Sequence, residues 1–154
     1  MKLTSKGRYA VLAMLDIAIH QHEGPITLSM ISERQHISLS YLEQIFAKLK
    51  KAGLVASARG PGGGYRLSRA AADIFINQIM HAVNEDVDPR RCKGGANCGA
   101  GAQCLSHFLW DELSQMIEAF LADVSLQQVI DRCNQKLALD GHLSKKRIDL
   151  ETLF

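Results

Sequence analysis

The spacing of apolar residues predicts a mainly helical protein that begins with a buried helix. From Thr4 to about Gln21 the apolar side chains are too dense for a helix with one apolar face, so we expect this helix to lie in the core. Gly24 and Pro25 then interrupt the chain. A short helix capped by Thr27 is predicted to follow.

A second short helix and a hairpin come next. After the tight connection at residues 36–38, Ser38 is placed to cap a helix that ends at Gly53. This helix carries its apolar residues on one face, at Leu42, Ile45, Phe46 and Leu49. Two strand-like runs, 54–59 and 65–67, flank a Gly/Pro turn. Two short helices joined by a brief turn and followed by a hairpin predict a winged helix-turn-helix.

The second half predicts three more helices. The first runs from Asp73 to Val83, and a polar segment with Pro89 follows it. The second, from Leu105 to Asp123, has apolar residues at three–four spacing, which favours burial against a partner helix in a twofold dimer. Packing within one protomer is the alternative. The apolar positions of this helix are Leu105, Leu109, Leu113, Met116, Ile117, Phe120 and Leu121. Ser125 is expected to cap a last short helix.

These elements give a mainly α fold with a small β-hairpin wing and a long dimerisation helix. We divide the chain into a winged helix-turn-helix DNA-binding region at 1–83 and a cysteine-rich loop at 84–104. Dimerisation helices at 105–133 follow, and then a polar, weakly periodic tail at 134–154 that we expect to be flexible. No apolar run is long enough to span a membrane, and no signal peptide is present, so we expect a cytoplasmic protein without a membrane partner.

Charge is distributed unevenly along the chain. Residues 1–70 carry ten Lys/Arg against four Asp/Glu, a charge of +6, whereas residues 71–154 carry eight against twelve, a charge of −4. The basic half indicates an anionic partner, most simply double-stranded DNA, although a solvated surface is the alternative.

The predicted recognition helix carries side chains that can read bases. Its first turns expose Ser40, Tyr41, Glu43 and Gln44, and Lys48 follows. Glutamine can pair with adenine, serine with several bases, and glutamate can accept from cytosine. Glu43 is unusual because it must approach a polyanion; its alternative interpretation is a partner of the helix dipole. Outside the helix, Lys2 can touch phosphates, and Arg59 in the wing can reach the minor groove.

A glycine-rich loop contains most of the cysteines of the chain. Three of the four cysteines lie there, at Cys92, Cys98 and Cys104, and His107 follows at the start of the next helix. Thiolates are soft ligands that favour iron–sulfur clusters, zinc or copper(I). The gaps between cysteines are wider than in most structural zinc sites, which favours a cluster over zinc. Cys133 stands apart on the last helix and is expected to be a small apolar residue.

Three motifs resemble the Rrf2 family of bacterial transcription regulators, and within it the iron–sulfur cluster regulator. They are residues 1–10 (MKLTSKGRYA), 37–44 (ISLSYLEQ) and 59–65 (RGPGGGY), and the resemblance extends over about residues 1–133. It implies a homodimeric winged-helix protein, not an enzyme, that holds a [2Fe–2S] cluster received from the iron–sulfur assembly machinery. It implies that Cys92, Cys98, Cys104 and His107 are the cluster ligands. The matching DNA-reading positions are Ser38, Ser40, Glu43, Gln44 and Arg59.

We therefore expect a cluster-sensing transcription regulator, activator or repressor, that controls iron–sulfur cluster assembly genes. A site on a glycine-rich loop with one imidazole ligand can lose its cluster, which suits a gauge of cluster supply. Two alternatives belong to other classes: a zinc-stabilised DNA-binding protein without sensing, and a small redox carrier.

Overall fold

The computed structural model describes residues 4–85, 88–90, 95, 97 and 102–139, with side chains up to residue 136. This part of the chain folds into six α-helices and one antiparallel hairpin, which confirms the predicted fold class. The helices are α1 (Ser5–His20), α2 (Leu28–Gln35), α3 (Leu39–Lys51), α4 (Ile76–Ala82), α5 (His107–Asp123) and α6 (Leu126–Leu139). The strands are β1 (Val55–Ala58) and β2 (Gly64–Leu67), and short 3₁₀ turns lie at Gln21–Glu23 and Ala71–Asp73.

Helix α1 lies at the centre of the molecule, as its dense apolar sequence predicts. The hydroxyl of Thr4 caps it by accepting from the backbone N–H of Lys6. Ala10, Ala13, Met14 and Ile17 have no exposed surface, and they pack with the buried faces of α2, α3 and α4. Among the described residues, no helix is long and apolar enough to cross a membrane.

One charged side chain is buried with the apolar face of α1. Asp16 has no exposed surface, and its carboxylate accepts from Arg34 Nε at 3.0 Å, Arg34 Nη2 at 2.5 Å and Gln35 Nε2 at 2.9 Å. The hydrogen bond to Asp16, opposed by burial, raises the pKa of Arg34 above its ordinary value. A buried carboxylate is stable only when it is paired and hydrogen-bonded. Asp16 thereby fixes the C-terminal half of α2 to α1.

The turn between α2 and α3 is closed by local chemistry. Thr27 caps α2 by accepting from Met30 N, as predicted, and His36 takes the left-handed conformation that ends the helix, with φ of 53°. Ser38 is the N-cap residue of α3, but its hydroxyl makes no capping hydrogen bond. At the C-terminus of α3, Gly53 takes the left-handed conformation of a Schellman motif, with φ of 71°. In this motif Leu54 N donates to Leu49 O at 3.0 Å.

Three predicted element boundaries were wrong. Helix α4 starts at Ile76 rather than Asp73, because residues 74 and 75 are extended and pair with residues 124–126 through hydrogen bonds such as Leu126 N to Ile74 O at 2.9 Å. Helix α5 starts at His107 rather than Leu105. Helix α6 is capped by Ser125 as predicted, but it continues to Leu139, into the segment expected to be a flexible tail. Residues 140–154 lie outside the described part of the chain.

Candidate nucleic-acid interface and cysteine loop

The first turns of α3 present polar side chains to solvent. Ser38, Ser40, Glu43 and Gln44 are all exposed, while the opposite face of the helix is buried in the core. In a helix-turn-helix, the N-terminal part of the second helix reaches base edges. The structure therefore brings together, on one exposed surface, four of the side chains that the sequence assigned to DNA reading.

Tyr41 differs from these neighbours. It is half-buried, and its ring meets the ring of Tyr9 of α1 edge to face, with centroids 5.8 Å apart and planes at 86°. Such a pair is worth about 0.5–1.5 kcal/mol beyond its buried area. Tyr41 therefore attaches α3 to α1.

Glu43 cannot be explained as a partner of the helix dipole. The first turn of α3 contains no acidic residue, since Glu43 lies in the second turn. The dipole effect falls off within the first turn of a helix. This excludes the alternative interpretation and leaves the contact with a base as the role to test.

The wing is fastened to the recognition helix at several points. The ring of Tyr65 in β2 packs against Phe46 of α3 at 4.8 Å, and Lys50 Nζ donates to Ser57 Oγ at 2.8 Å. Tyr65 also pairs through its backbone with Ile26, an extended residue before α2. A Cβ on Gly64 would lie 2.6 Å from Ile26 O, so glycine is required for this approach. The pairing with Ile26 was missed because one residue gives no strand pattern.

The basic residues assigned to DNA occupy different surroundings. Arg59 is exposed just after β1, at the start of the hairpin turn, and Lys48 is half-buried on α3. Lys2 lies outside the described residues. Arg59 is therefore placed at the tip of the wing, where a winged helix can approach a neighbouring groove.

Two of the four predicted metal ligands are described, and they lie next to each other at the start of α5. Cys104 and His107 are both half-buried, and the backbone N–H of His107 donates to the carbonyl of Cys104 at 3.0 Å. Cys104 precedes the helix and His107 is its first residue, so a tight turn rather than a shared helical face relates them. Cys92 and Cys98 lie outside the described residues. Within the described part of the chain, no group of three or more possible ligands converges.

An ion-pair network ties the beginning of the cysteine loop to α5. Arg90 donates to Asp88 through Nη2 at 2.7 Å and to Asp111 of α5 through Nη1 at 2.5 Å. The hydrogen bond from Arg90 lowers the pKa of Asp88 to about 2. Asp88 in turn, and then Asp111, raise the pKa of Arg90. This network was not predicted, since charged residues in a polar segment give no signal of pairing.

Helix α5 leaves an apolar surface uncovered. None of its residues is buried in the described protomer, and we call its line of Leu109, Leu113, Met116 and Phe120 the α5 seam. Phe120 is 60% exposed and Met116 63%. These four residues lie within one narrow arc of the helix, the arrangement expected of a helix that packs against another.

Cys133 lies on α6, in a groove that includes no described residue of the cysteine loop. It is half-buried on α6 in a groove of about 350 Å³ that also includes Val11, Leu121 and Val129. Burial raises the pKa of its thiol, against the opposing charge of Lys136. A thiol kept protonated among apolar side chains behaves as a small apolar residue rather than a ligand.

Comparisons with known proteins point to one family. The family model of Rrf2, described as iron-dependent transcriptional regulator, matches residues 3–132. "HTH-type transcriptional regulator IscR" of Vibrio atlanticus is 51% identical over 99% of this chain and 94% of its own. The protein of the same name from Xenorhabdus nematophila is 57% identical over 96% of this chain and 90% of its own.

Solved structures give the same result for the fold. "T. potens IscR" superposes with a TM-score of 0.72 at 33% identity, covering 95% of this chain and 94% of that one. The structure titled CymR, the global cysteine regulator of B. subtilis, superposes with a TM-score of 0.75 at 27% identity, covering 86% and 98%.

Proposed function

Because the chain belongs to the Rrf2 family and is a DNA-binding transcriptional regulator rather than an enzyme, we propose that it senses the supply of iron–sulfur clusters. In this proposal it binds a [2Fe–2S] cluster delivered by the iron–sulfur assembly machinery, and controls the genes of cluster assembly. The resemblance noted from the sequence motifs is confirmed at the level of the family. The cluster itself is the proposed step, and the placement of Cys104 and His107 in one turn at the start of α5 supports it most directly.

The ligands are proposed to be Cys92, Cys98, Cys104 and His107. Cysteine thiolates and histidine both hold [2Fe–2S] centres, and histidine ligation raises the reduction potential of the centre. The bound cluster would supply this redox chemistry to the sensor. Cys104 and His107 fit this set of ligands because they are of the right residue types, lie in one turn and are both half-buried. The turn that joins them fixes their spacing, and Arg90 anchors the beginning of the loop to α5 through Asp111.

DNA contacts are proposed for the exposed side of α3 and for the wing. Ser38, Ser40, Glu43 and Gln44 would face base edges, and Arg59 would enter the minor groove. Tyr41, half-buried against Tyr9, would act mainly by holding α3 in place. Lys48 and Lys2 would contact phosphates, so that affinity falls steeply with salt through counterion release.

A homodimer is proposed to present two such surfaces. The α5 seam supplies the apolar surface that a twofold interface would cover. Two recognition helices would then read half-sites about 34 Å apart, one turn of the DNA helix, or a multiple of that distance.

Four single variants test the cluster proposal. Cys92→Ala, Cys98→Ala and Cys104→Ala should each abolish the cluster, because each removes a thiolate ligand. Cys133→Ala is the matched control and should retain it, since this thiol lies in the groove of α1, α5 and α6. Visible absorption together with iron and acid-labile sulfide assays on anaerobically purified protein provides the readout.

Two results would contradict the proposal. Full cluster content in any of the three loop variants would remove that cysteine from the ligand set. Colourless wild-type protein that contains stoichiometric zinc would show that the loop holds a structural metal rather than a cluster, and the proposed sensing would then be wrong.

A further inference from the structure

A buried carboxylate connects the cysteine loop to the first turn of α1. Glu85 follows α4 at the beginning of the cysteine loop and is only 6% exposed. Its two oxygens accept from Thr4 N at 2.8 Å, Thr4 Oγ1 at 2.5 Å and Gly7 N at 3.0 Å. A carboxylate at a helix N-terminus satisfies donors that have no partner within the helix. Glu85 therefore fixes the beginning of α1 to the chain that enters the loop.

The fit between Glu85 and α1 is close. A Cβ placed on Gly7 would lie 2.8 Å from Glu85 Cγ and 3.0 Å from Met80 Sδ, so glycine is needed for the carboxylate to reach the helix. Lys6 Nζ also donates to the carbonyl of Asn84 at 3.2 Å. Displacing residues 84–85 would consequently displace the first turn of α1.

The same turn of α1 leads to the recognition helix. Tyr9 follows Gly7 by two residues, and its ring is the one that meets Tyr41 of α3 edge to face. Tyr41 lies beside Ser40 and two residues before Glu43, on the turns of α3 that are exposed for base reading. A continuous series of contacts thus runs from Glu85 through Gly7 and Tyr9 to Tyr41.

The chain that follows Glu85 is attached to a second helix, α5. Arg90 bonds to Asp88 and to Asp111, so the chain that leaves Glu85 is attached to α5 within five residues. A change in the position of the loop is therefore transmitted to a short segment that is fastened at both ends. Coupling between two sites is carried by packed contacts of this kind when they have two arrangements.

We propose that Glu85 is a positioning residue that transmits the state of the cysteine loop to the recognition helix, through the first turn of α1 and the Tyr9–Tyr41 contact. This inference rests on the proposed function, because the two states are those with and without cluster. The loaded loop holds Glu85 against Thr4 and Gly7 in one position, and the empty loop holds it in another. The contact of the Tyr9 ring with Tyr41 then sets the tilt of α3 in each state.

The measurement is a ratio of DNA affinities. The probe is a duplex selected from a random-sequence library with cluster-loaded wild-type protein, and its dissociation constant is measured for loaded and cluster-free protein. Allosteric coupling usually changes affinity by about 5- to 150-fold, and we expect a ratio in that range for the wild type. Glu85→Gln should bring the ratio to within about twofold of one, because an amide nitrogen then faces the N–H donors of α1.

A matched substitution separates this effect from a general loss of structure. Glu118→Gln makes the same chemical change on α5, where the carboxylate accepts from Asn77 Nδ2 at 3.1 Å and lies 3.4 Å from His81 Nε2, both residues of α4. It should leave the ratio at the wild-type value. Cluster content is measured for every sample by visible absorption, so that loss of the cluster is not counted as loss of coupling.

A second variant keeps the proposal testable if Glu85→Gln does not fold or does not take up cluster. Tyr9→Leu removes the ring that meets Tyr41, within α1 rather than in the loop sequence, and should lower the ratio in the same way. Since both residues act along one path, the affinity ratio of the double variant should be no closer to one than the ratios of the single variants. A wild-type ratio of one would overturn the sensing function itself. A ratio that persists in Glu85→Gln, or in Tyr9→Leu, would overturn the path through α1 and leave sensing intact.

Discussion

Replacing Phe120 by alanine should weaken the proposed dimer by a predictable amount. Fully burying a phenylalanine side chain is worth about 1.5–3 kcal/mol. Phe120 is 60% exposed in the protomer, so covering this exposed part in a dimer contributes roughly 1–2 kcal/mol. In a twofold dimer each protomer carries the substitution, so the loss of dimer stability is roughly 2–4 kcal/mol. At about 1.4 kcal/mol per tenfold change, the dissociation constant should rise by roughly thirtyfold to several hundredfold.

The substitution is suited to the question because alanine favours helix more than phenylalanine does. Weaker association would therefore reflect the lost contact and not a weaker α5. Sedimentation velocity over a range of protein concentrations gives the dissociation constants. Gln115→Ala is the control, since Gln115 is exposed on the same helix, away from the α5 seam, and donates only to Asp111 within the helix. Its effect should be negligible.

Two outcomes would refute the reasoning. Wild-type protein that remains monomeric at all accessible concentrations would show that the α5 seam does not mediate self-association. A dimer whose dissociation constant is unchanged by Phe120→Ala would show that association uses another surface.

Three further predictions test the contacts around α1 and α3. Asp16→Ala should lower the free energy of unfolding by about 3–5 kcal/mol, measured by urea denaturation, because it leaves Arg34 without its buried partner; an unchanged midpoint would contradict this. Acid should destabilise the protein through Glu85 and Asp88. Burial opposes ionisation of Glu85, but hydrogen bonds from α1 outweigh it, so its pKa, like that of Asp88, lies below the ordinary value. Their stabilisation is complete above the ordinary values of 4.5 and 3.8 and is lost as pH falls through the lowered pKa of each group, which for Asp88 is about 2. The melting temperature should drop over that range, and a flat profile would count against the pairing. Glu43→Ala should relax discrimination at one base pair, by about 1–3 kcal/mol, in binding to duplexes varied at that pair, whereas equal losses at every sequence would make it an ordinary contact.

Much of the DNA-binding fold could be predicted because its signals are local. The apolar face of α3, the cap at Thr27 and the glycine at Gly53 each depend on residues a few positions apart. The Gly/Pro turn likewise specifies the hairpin. The apolar face of α5 was also predicted from spacing alone, although the start of the helix was placed two residues too early.

The features that could not be predicted depend on contacts between distant residues. Glu85 is separated from Thr4 by 81 residues, and nothing in a polar segment distinguishes a carboxylate that will be buried from one that stays in solvent. The same reason explains why Asp16 within an apolar helix and the extended pairing of Ile74 with Leu126 were missed. For the metal site, residue types indicate the chemistry, but the convergence of Cys92 and Cys98 with His107 stays a prediction.

The position of α1 distinguishes two ways in which the loop could influence DNA binding. A route through α5 would change how two protomers are arranged, and hence the tolerated spacing between half-sites, with base preference in each half-site preserved. A route through Glu85 and Tyr9 would change the tilt of α3 within one protomer, and hence base preference at a fixed spacing. Arg90 contacts α5 while Glu85 contacts α1, so one segment enters both routes. The carboxylate of Glu85 makes three hydrogen bonds to α1 from a buried position, whereas Asp111, which receives Arg90, is about one-third exposed. Buried charge-assisted hydrogen bonds are stronger than partly exposed ion pairs, so Glu85 holds α1 more firmly than Arg90 holds α5. The proposed ligand His107, however, is itself the first residue of α5, so the loop is also linked to α5 directly. Binding of loaded and cluster-free protein to duplexes varied either at one base pair or in half-site spacing separates the two routes. A change in base preference at fixed spacing supports the path through Glu85 and Tyr9, whereas a change in the tolerated spacing supports the path through α5.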